Sequence, residues 1–152
     1  MTNLLEINNL SVDFPSRRGQ VAAVNKVSIA VAKGEVLGLV GESGAGKSTV
    51  GNSIINLLEP PGYISGGEII FDGNRIDQLS NEEMRKIRGA KIGTIFQDPQ
   101  TSLNPLMTIG KQLSETLIET LKISGASARE KSIELLDSVG IPNPVPRLDA
   151  YP

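Results

Sequence analysis

A glycine-rich stretch near residue 45 contains the residue types that are best suited to chemistry. Residues 41–48 read GESGAGKS and match the pattern G-x-x-x-x-G-K-[ST] in full. Glycines let the backbone curl around an anion with its N–H groups pointing inward, and the N-terminus of a following helix adds partial positive charge. The stretch therefore predicts a loop that binds phosphate groups.

The side chains at the end of this loop have separate expected roles. Lys47 can reach the outer phosphates as a point charge, Ser48 can ligate Mg²⁺ through its hydroxyl, and Thr49 can bond an inner phosphate. The other loop residues are expected to cradle the phosphates, and these are Gly41, Ser43, Gly44, Ala45 and Gly46. The alternative is a glycine-rich turn with a solvated lysine, which the elements on either side disfavour.

Those flanking elements are the ones that a phosphate-binding loop requires. Before the loop, residues 35–41 (EVLGLVG) form a continuous apolar run, which is typical of a strand buried on both faces. After the loop, apolar residues are spaced as one face of a helix, at Val50, Ile54, Leu57 and Leu58. Pro60 and Pro61 are expected to end that helix.

Strand patterns dominate the rest of the first hundred residues. We predict a strand over 4–14, interrupted at Asn8-Asn9, and a half-buried strand over 21–31 that alternates at Val27, Ile29 and Val31. Residues 66–76 predict a short strand and a tight turn at Asp72-Gly73, and residues 91–96 (KIGTIF) predict another buried strand. Between them, Ser80 and Glu83 form a capping box that opens a helix.

From Thr108 onward the pattern becomes helical. One predicted helix has an apolar residue every fourth position, at Ile109, Leu113, Leu117 and Leu121. A second capping box, Ser127 with Glu130, predicts another helix that Gly140 closes. Residues 141–152 contain several prolines and are predicted to be extended. We therefore divide the chain into an α/β part, 1–97, and a helical part, 98–152.

Composition excludes several classes of function. With 39% hydrophobic and 21% charged residues, the 152-residue chain fits a globular domain, and its net charge of −2 argues against a nucleic-acid-binding face. The absence of cysteine and histidine excludes disulfides, thiolate metal sites and a histidine base within the sequence. Neither a transmembrane run nor a signal peptide is visible, so the expected location is the cytoplasm.

The loop motif alone leaves more than one kind of nucleotide-binding protein open. GTP-binding domains usually carry the loop on their first strand, whereas two strand patterns precede it here. Asn25-Lys26 matches part of the guanine-reading N-K-x-D, but Ser28 stands where aspartate is needed and the pair lies upstream of the loop. GTP is therefore disfavoured, while a small-molecule kinase is not excluded by the loop.

Three stretches together resemble a known family. They are GEVLGLVGESGAGKST (34–49), IFQDPQTSLNPLMTIGKQ (95–112) and LLDSVGIPNPVPRLDAYP (135–152). They resemble the ATP-binding subunits of ABC transporters, and the middle stretch is similar to the oligopeptide, dipeptide and nickel permease branch. The resemblance implies an α/β P-loop NTPase fold with an antiparallel N-terminal β part, a P-loop core and part of a helical subdomain. It also implies transport-coupled ATP hydrolysis at the cytoplasmic face of the cell membrane.

The resemblance assigns roles to residues outside the loop. Phe14 matches an aromatic residue that stacks on adenine; the residues alone also fit a core phenylalanine at a strand end. Gln97 matches the Q-loop glutamine, whose amide oxygen can ligate Mg²⁺ or orient the attacking water. Residues 98–106 would face the membrane permease, the alternative being a polar surface loop.

Ligands, partners and chain organisation are also implied by the resemblance. ATP and Mg²⁺ are the expected ligands. The expected partners are transmembrane permease subunits, a second ATPase subunit that is a copy or a paralogue, and indirectly a substrate-binding protein, with no nucleic acid. The family pattern continues after Pro152 with a serine-glycine-glycine signature, a strand ending in Asp-Glu and a switch histidine.

We therefore expect an N-terminal part of a longer subunit that hydrolyses little or no ATP alone. Exposed strand edges in such a part are expected to favour self-association. Two alternatives from other classes stay open. One is a soluble cassette ATPase that works on ribosomes or DNA, and the other is a nucleotide-binding module without catalysis.

Overall fold

A computed structural model describes residues 3–17, 19–97 and 102–152 of the chain. The chain divides into two compact units, Met1–Arg88 and Gly89–Pro152. The predicted division of the domains after residue 97 stays a prediction. Within the described ranges, every helix is too short or too polar to cross a membrane.

The first unit is built around a four-stranded antiparallel sheet. Its strands are β1 (Asn3–Ser16), β2 (Gly19–Ala32), β3 (Tyr63–Phe71) and β4 (Asn74–Arg75), in the order β2-β1-β3-β4. The strand patterns predicted over 4–14, 21–31 and 66–76 are confirmed. The sheet buries a set of aliphatic side chains on one face, namely Ile7, Leu10, Val12, Val24 and Ile69.

An irregularity crosses three strands of this sheet where the sequence predicts an interruption. Asn9 in β1 and Lys26 in β2 have left-handed backbones, with φ of 50° and 49°. Gly67 in β3 has φ 87°, and a Cβ there would lie 2.5 Å from the carbonyl oxygens of Asn8 and Asn9. Only glycine therefore fits at residue 67, where two backbones approach closely. The Ser11 hydroxyl accepts a 3.0 Å bond from the Lys26 N–H beside the irregularity.

The turn and the second helix of this unit follow the predicted pattern. Asp72 and Gly73 have φ of 50° and 73° and connect β3 to β4 as the predicted two-residue turn. Helix α2 spans Asn81–Ile87, and the capping box of Ser80 and Glu83 is confirmed. Hydrogen bonds from the Ser80 hydroxyl and backbone N–H lower the pKa of Glu83.

The first helix, α1, is shorter than predicted. It spans Lys47–Ile54, whereas the apolar pattern extended it to Leu58. The left-handed Asn56, with φ 50°, ends the helical path, and Leu57 is 43% exposed. The buried residues at this helix are Val50, Ser53 and Ile55.

The described residues of the second unit form three helices, α3 (Ile109–Leu121), α4 (Gly125–Ser138) and α5 (Pro144–Leu148). The helix predicted from Ile109 is confirmed. The second predicted capping box is wrong, because α4 begins one turn earlier and the Ser124 hydroxyl accepts the N–H of Ser127 at 3.2 Å.

The prediction that 141–152 is extended is also wrong. Proline is compatible with the first turn of a helix, where its missing N–H is not needed, so Pro144 opens α5. Leu148 of this helix is 1% exposed and packs against Gly110 of α3.

Two predicted buried strands are not strands in the structure. Residues 35–40 and 93–96 lie outside every strand that the structure describes. Val36, Val40 and Ile95 are 95%, 93% and 98% exposed. A strand buried on both faces needs hydrogen-bonded neighbours at its sides, and the four described strands pair only with one another.

Candidate functional site

The predicted phosphate loop leads directly into the first turn of α1. Gly44 and Gly46 have φ of 82° and 81°, which is the left-handed conformation that glycine adopts without strain. Gly46 is the N-cap of α1 and offers no side chain to its first amides. The first helical hydrogen bond runs from the Val50 N–H to the Gly46 oxygen at 3.0 Å. The N–H groups of Lys47 and Ser48 thus precede the helical ladder and can serve an anion.

The loop is also held closely against the sheet. A Cβ at Gly46 would lie 2.4 Å from the carbonyl oxygen of Ala23 in β2. At the other end of the loop, a Cβ at Gly41 would lie 3.4 Å from the Ala45 Cβ. Gly46 is therefore required both by its backbone angle and by its contact with β2, which fixes where α1 begins.

The Lys47 side chain folds back onto the loop. Its Nζ donates hydrogen bonds to the carbonyl oxygens of Gly41 at 2.8 Å and of Glu42 at 2.5 Å. The side chain belongs to the first residue of α1, so its ammonium and the positive end of the helix dipole act at the same place. The arrangement adds the positive charge of Lys47 to the loop that precedes α1.

The two hydroxyl residues differ in exposure. Ser48 is exposed, while Thr49 is half-buried and its carbonyl oxygen accepts the Ser53 hydroxyl at 2.7 Å. Within the described ranges, no group of three or more carboxylate, histidine or cysteine side chains could hold a metal. A single serine hydroxyl fits Mg²⁺ that is bound mainly by phosphates and water, as this ion prefers.

Phe14 lies in the same unit as the loop, near the end of β1, opposite Val21. Its ring is half-buried and packs against Gly62, where a Cβ would approach the ring carbon Cε1 to 2.4 Å. Gln97 is exposed and belongs to the second unit. The roles of both residues stay predictions, and residues 98–101 of the predicted permease-facing segment lie outside the described ranges.

Two side chains that the sequence did not single out hold nearby backbone segments in place, one at the end of α1 and one before α3. Arg88 donates to the carbonyl oxygens at the end of α1, with its Nε 2.6 Å from the Ile55 oxygen. Gln112 fastens the loop before α3, because its amide bonds both to the backbone of Asn104 and to the Met107 oxygen at 3.0 Å. Neither contact belongs to a recognisable sequence motif, so neither could be predicted from the sequence.

A protein-family model described as ABC transporter matches residues 24–149. The chain belongs to the ABC transporter family. This ABC transporter chain is 46% identical over 153 residues to the oligopeptide transport ATP-binding protein OppD of Bacillus subtilis (strain 168). It is also 46% identical to the dipeptide transport ATP-binding protein DppD of the same organism, and 41% identical to DppD of Escherichia coli (strain K12).

The ABC transporter chain spans less than half the length of these curated relatives. The three alignments include 98–100% of this chain. They include 43% of OppD and 46% of each DppD. The resemblance to the peptide permease branch is therefore confirmed for the part of the relatives that the chain matches.

Solved cassettes confirm the fold class. A dimeric ATP-binding cassette in a post-hydrolysis state with ADP and Pi matches with a TM-score of 0.84 and 27% identity, over 97% of this chain and 61% of that one. A dimeric structure of a bacterial ABC transporter cassette matches with a TM-score of 0.77 and 30% identity, over 88% and 56%. The antiparallel N-terminal sheet, the loop and the helices together form a partial ABC ATPase fold.

Proposed function

We propose that this chain is the ATP-binding part of the ATPase subunit of an ABC importer. The intact subunit couples ATP binding and hydrolysis to the transport of peptides across the cytoplasmic membrane. The observation that carries the proposal is the first turn of α1, where Gly46 caps the helix without a side chain and Lys47 adds its ammonium. The choice of peptides is supported by the relatives, which are oligopeptide and dipeptide transport ATP-binding proteins.

The proposed binding mode uses the charges and donors of the loop. The phosphates of ATP accept hydrogen bonds from the amides at the start of α1, and the helix dipole favours their negative charge. When ATP binds, Lys47 Nζ would replace one of its carbonyl partners with an outer phosphate oxygen. The new hydrogen bond would be stronger, because both of its partners are charged. Mg²⁺ neutralises the outer phosphates when it is bound, and Ser48 is the hydroxyl that would hold it. Phe14 is proposed to stack on adenine, at the end of β1.

Hydrolysis is proposed to need more than these residues. Gln97 would orient the attacking water or ligate Mg²⁺, as glutamines do in other phosphoryl-transfer sites. The resemblance assigns the general base, the signature and the switch histidine to positions after Pro152, and the sequence contains no histidine. We therefore expect the chain alone to bind ATP and to hydrolyse little or none.

A loop of the second unit supports the proposed contact with a permease. Gln112 holds the backbone from Asn104 to Met107 in one shape through three hydrogen bonds. Leu106 projects from that loop and is 85% exposed. A rigid loop that presents an apolar side chain suits a docking contact. The cytoplasmic face of the membrane, a second ATPase subunit and, indirectly, a substrate-binding protein belong to the same proposal.

Recruitment to permease-containing membranes tests this proposal. Inside-out vesicles that contain a peptide permease without its ATPases are mixed with the chain and sedimented. We expect Leu106→Asp to reduce the bound fraction about tenfold, since a buried carboxylate would cost more than 1.4 kcal/mol. The matched control is Val145→Asp, because Val145 is 51% exposed on α5 of the same unit. Equal binding to vesicles without permease would contradict the transport role.

Soluble cassette ATPases that act on ribosomes or DNA are the other candidate class. A chain that works on nucleic acid would carry a basic face, whereas this one has a net charge of −2. Co-sedimentation with ribosomes rather than with permease vesicles would favour that class.

A further inference from the structure

Helix α1 is anchored at both of its ends. At its N-terminus, Gly46 contacts the backbone of Ala23 in β2 so closely that no side chain would fit. At its C-terminus, the chain turns back on itself through Asn56, whose N–H donates to the Ser53 oxygen at 3.1 Å. The next N–H, of Leu57, donates to the Asn52 oxygen at 2.8 Å, which completes a Schellman motif.

Arg88 holds this second end from another helix. It follows Ile87 as the C-cap of α2, and its Nε and Nη2 donate to the carbonyl oxygens of Ile55 and Asn56 at 2.6 and 2.8 Å. Its own N–H donates to the oxygen of Met84, a residue that is fully buried. The backbone of Arg88 is therefore held at the end of α2, one turn after a buried residue.

The contact suits both partners electrostatically and geometrically. A helix C-terminus carries partial negative charge, and its last carbonyl groups have no helical donor. Guanidinium offers several donors in a rigid plane, so Arg88 can bond two successive carbonyl oxygens at once. A lysine at residue 88 would offer a point charge without this fork.

The length of α1 makes the contact relevant to the phosphate loop. The helix has 8 residues, so it is about 12 Å long and behaves as a rigid body. Because the N-terminus of α1 packs against β2, a movement of its C-terminus would tilt the helix. The tilt would change the direction in which the first amide N–H groups point. Nucleotide binding depends on those directions, because hydrogen bonds weaken steeply when their angle deviates.

We propose that Arg88 is a positioning residue for nucleotide binding. It touches no nucleotide, and it acts by fixing the C-terminus of the helix whose N-terminus receives the phosphates. This inference rests on the proposed function, since it assigns a second determinant to the same ATP site. It predicts that ATP affinity depends on a residue that is 41 positions after Lys47 in the sequence.

ATP titration of three variants tests the positioning role. We expect Arg88→Gln to weaken ATP binding about tenfold and Arg88→Lys to weaken it about threefold, because lysine keeps the charge and loses the fork. The matched control is Arg85→Gln, since Arg85 is exposed in the last turn of the same helix and should leave affinity unchanged. All titrations are made well below the melting temperature of each variant. Equal affinity of wild type and Arg88→Gln would overturn the inference.

A measurement without nucleotide separates this inference from the proposed function. Amide NMR shifts of Gly44, Gly46 and Val50 are compared between wild type and the two glutamine variants. We expect Arg88→Gln, but not Arg85→Gln, to shift these signals, because α1 reorients as a whole. Unchanged signals would overturn the positioning role even in a chain that binds no ATP. Failure of the wild type to bind ATP, with the signals shifted, would instead contradict the proposed function.

Discussion

Strand β1 and the segment 35–40 are both apolar, yet the fold treats them in opposite ways. Leu10 and Val12 of β1 are 0% exposed, whereas Val36 and Val40 of the segment are 95% and 93% exposed. β1 has a hydrogen-bonded neighbour on each side, while the segment lies outside every described strand. The difference teaches that an apolar run indicates what a segment can bury, and that partner strands decide whether it does.

The two flanks of the phosphate loop differ in the same way, since one is packed on the buried sheet and the other is exposed. The phosphate loop is fixed to the buried sheet through the contact of Gly46 with Ala23, and its helix is held by Arg88. The exposed segment 35–40 leads into the loop from the other side. We therefore expect the sheet and α1, rather than the apolar segment, to determine the stability of the first unit and the geometry of its loop.

The largest expected effect compares two isoleucines. Ile69 of β3 is 0% exposed and Ile95 is 98% exposed. Ile69→Ala should lower the free energy of unfolding by about 2–5 kcal/mol, since it removes buried methyl groups and leaves a cavity. Ile95→Ala should change it by less than about 0.5 kcal/mol. Urea unfolding of both variants measures the contrast, and an equal loss would mean that Ile95 is covered in solution.

A second effect concerns the irregularity in the sheet. Gly67→Ala should lower the free energy of unfolding by about 2–4 kcal/mol, because φ is 87° and a Cβ would lie 2.5 Å from two backbone oxygens. Gly66→Ala is the matched control, since its Cβ would meet only the Ser11 Cβ at 3.8 Å. The prediction fails if the two neighbouring substitutions cost the same in chemical denaturation.

A smaller effect depends on pH and on Asp77, whose side chain is 5% exposed. Burial raises the pKa of Asp77, but hydrogen bonds from the Arg75 side chain and the Ile69 N–H outweigh it, so the pKa is lowered overall. The stabilisation is therefore present above the ordinary carboxyl pKa and is lost as pH falls through the folded value.

Asp77→Asn should reduce the free energy of unfolding by about 1–2 kcal/mol at neutral pH. The variant should also lose less stability than wild type on acidification from about pH 5 to pH 2. Thermal melts across this range give the comparison, with Asp137→Asn, at an exposed position of α4, as control. Parallel pH profiles of wild type and Asp77→Asn would rule out this role.

The smallest expected change in stability belongs to the exposed segment. The double substitution Val36→Lys and Val40→Lys should alter the free energy of unfolding by less than about 0.5 kcal/mol, since both side chains are exposed. It should reduce self-association, because charged residues block pairing of an apolar strand-like segment. Light scattering measures the effect, and a wild-type chain that is monomeric at high concentration would contradict it.

Local chemistry explains which parts of the fold were predictable. The turn at Asp72-Gly73 and the capping box of Ser80 and Glu83 depend on neighbouring residues, and both are confirmed. The start of α4 was misplaced because two serines three positions apart, Ser124 and Ser127, each fit an N-cap. The short helix α5 was not predicted. Its Leu148 packs against Gly110 of α3, and no sequence pattern indicates this contact.

In the candidate site too, features made by neighbouring residues could be predicted, and contacts between distant residues could not. The loop could be predicted because its glycines, lysine and hydroxyls are consecutive, and its φ values of 82° and 81° at Gly44 and Gly46 agree with the glycine pattern. Arg88 could not be predicted, because its partner Ile55 is 33 residues away and no periodicity joins them. The roles of Phe14 and Gln97 stay predictions.

One measurement tests the central claim most directly, namely that the loop holds the phosphates of ATP. Calorimetric titration of ATP with Mg²⁺ is made on the wild-type chain, on Lys47→Ala and on Lys33→Ala, an exposed lysine of the same unit. We predict binding to the wild type and to Lys33→Ala with equal affinity, and binding at least about tenfold weaker to Lys47→Ala. Equal ATP affinity of Lys47→Ala and the wild type would contradict the claim.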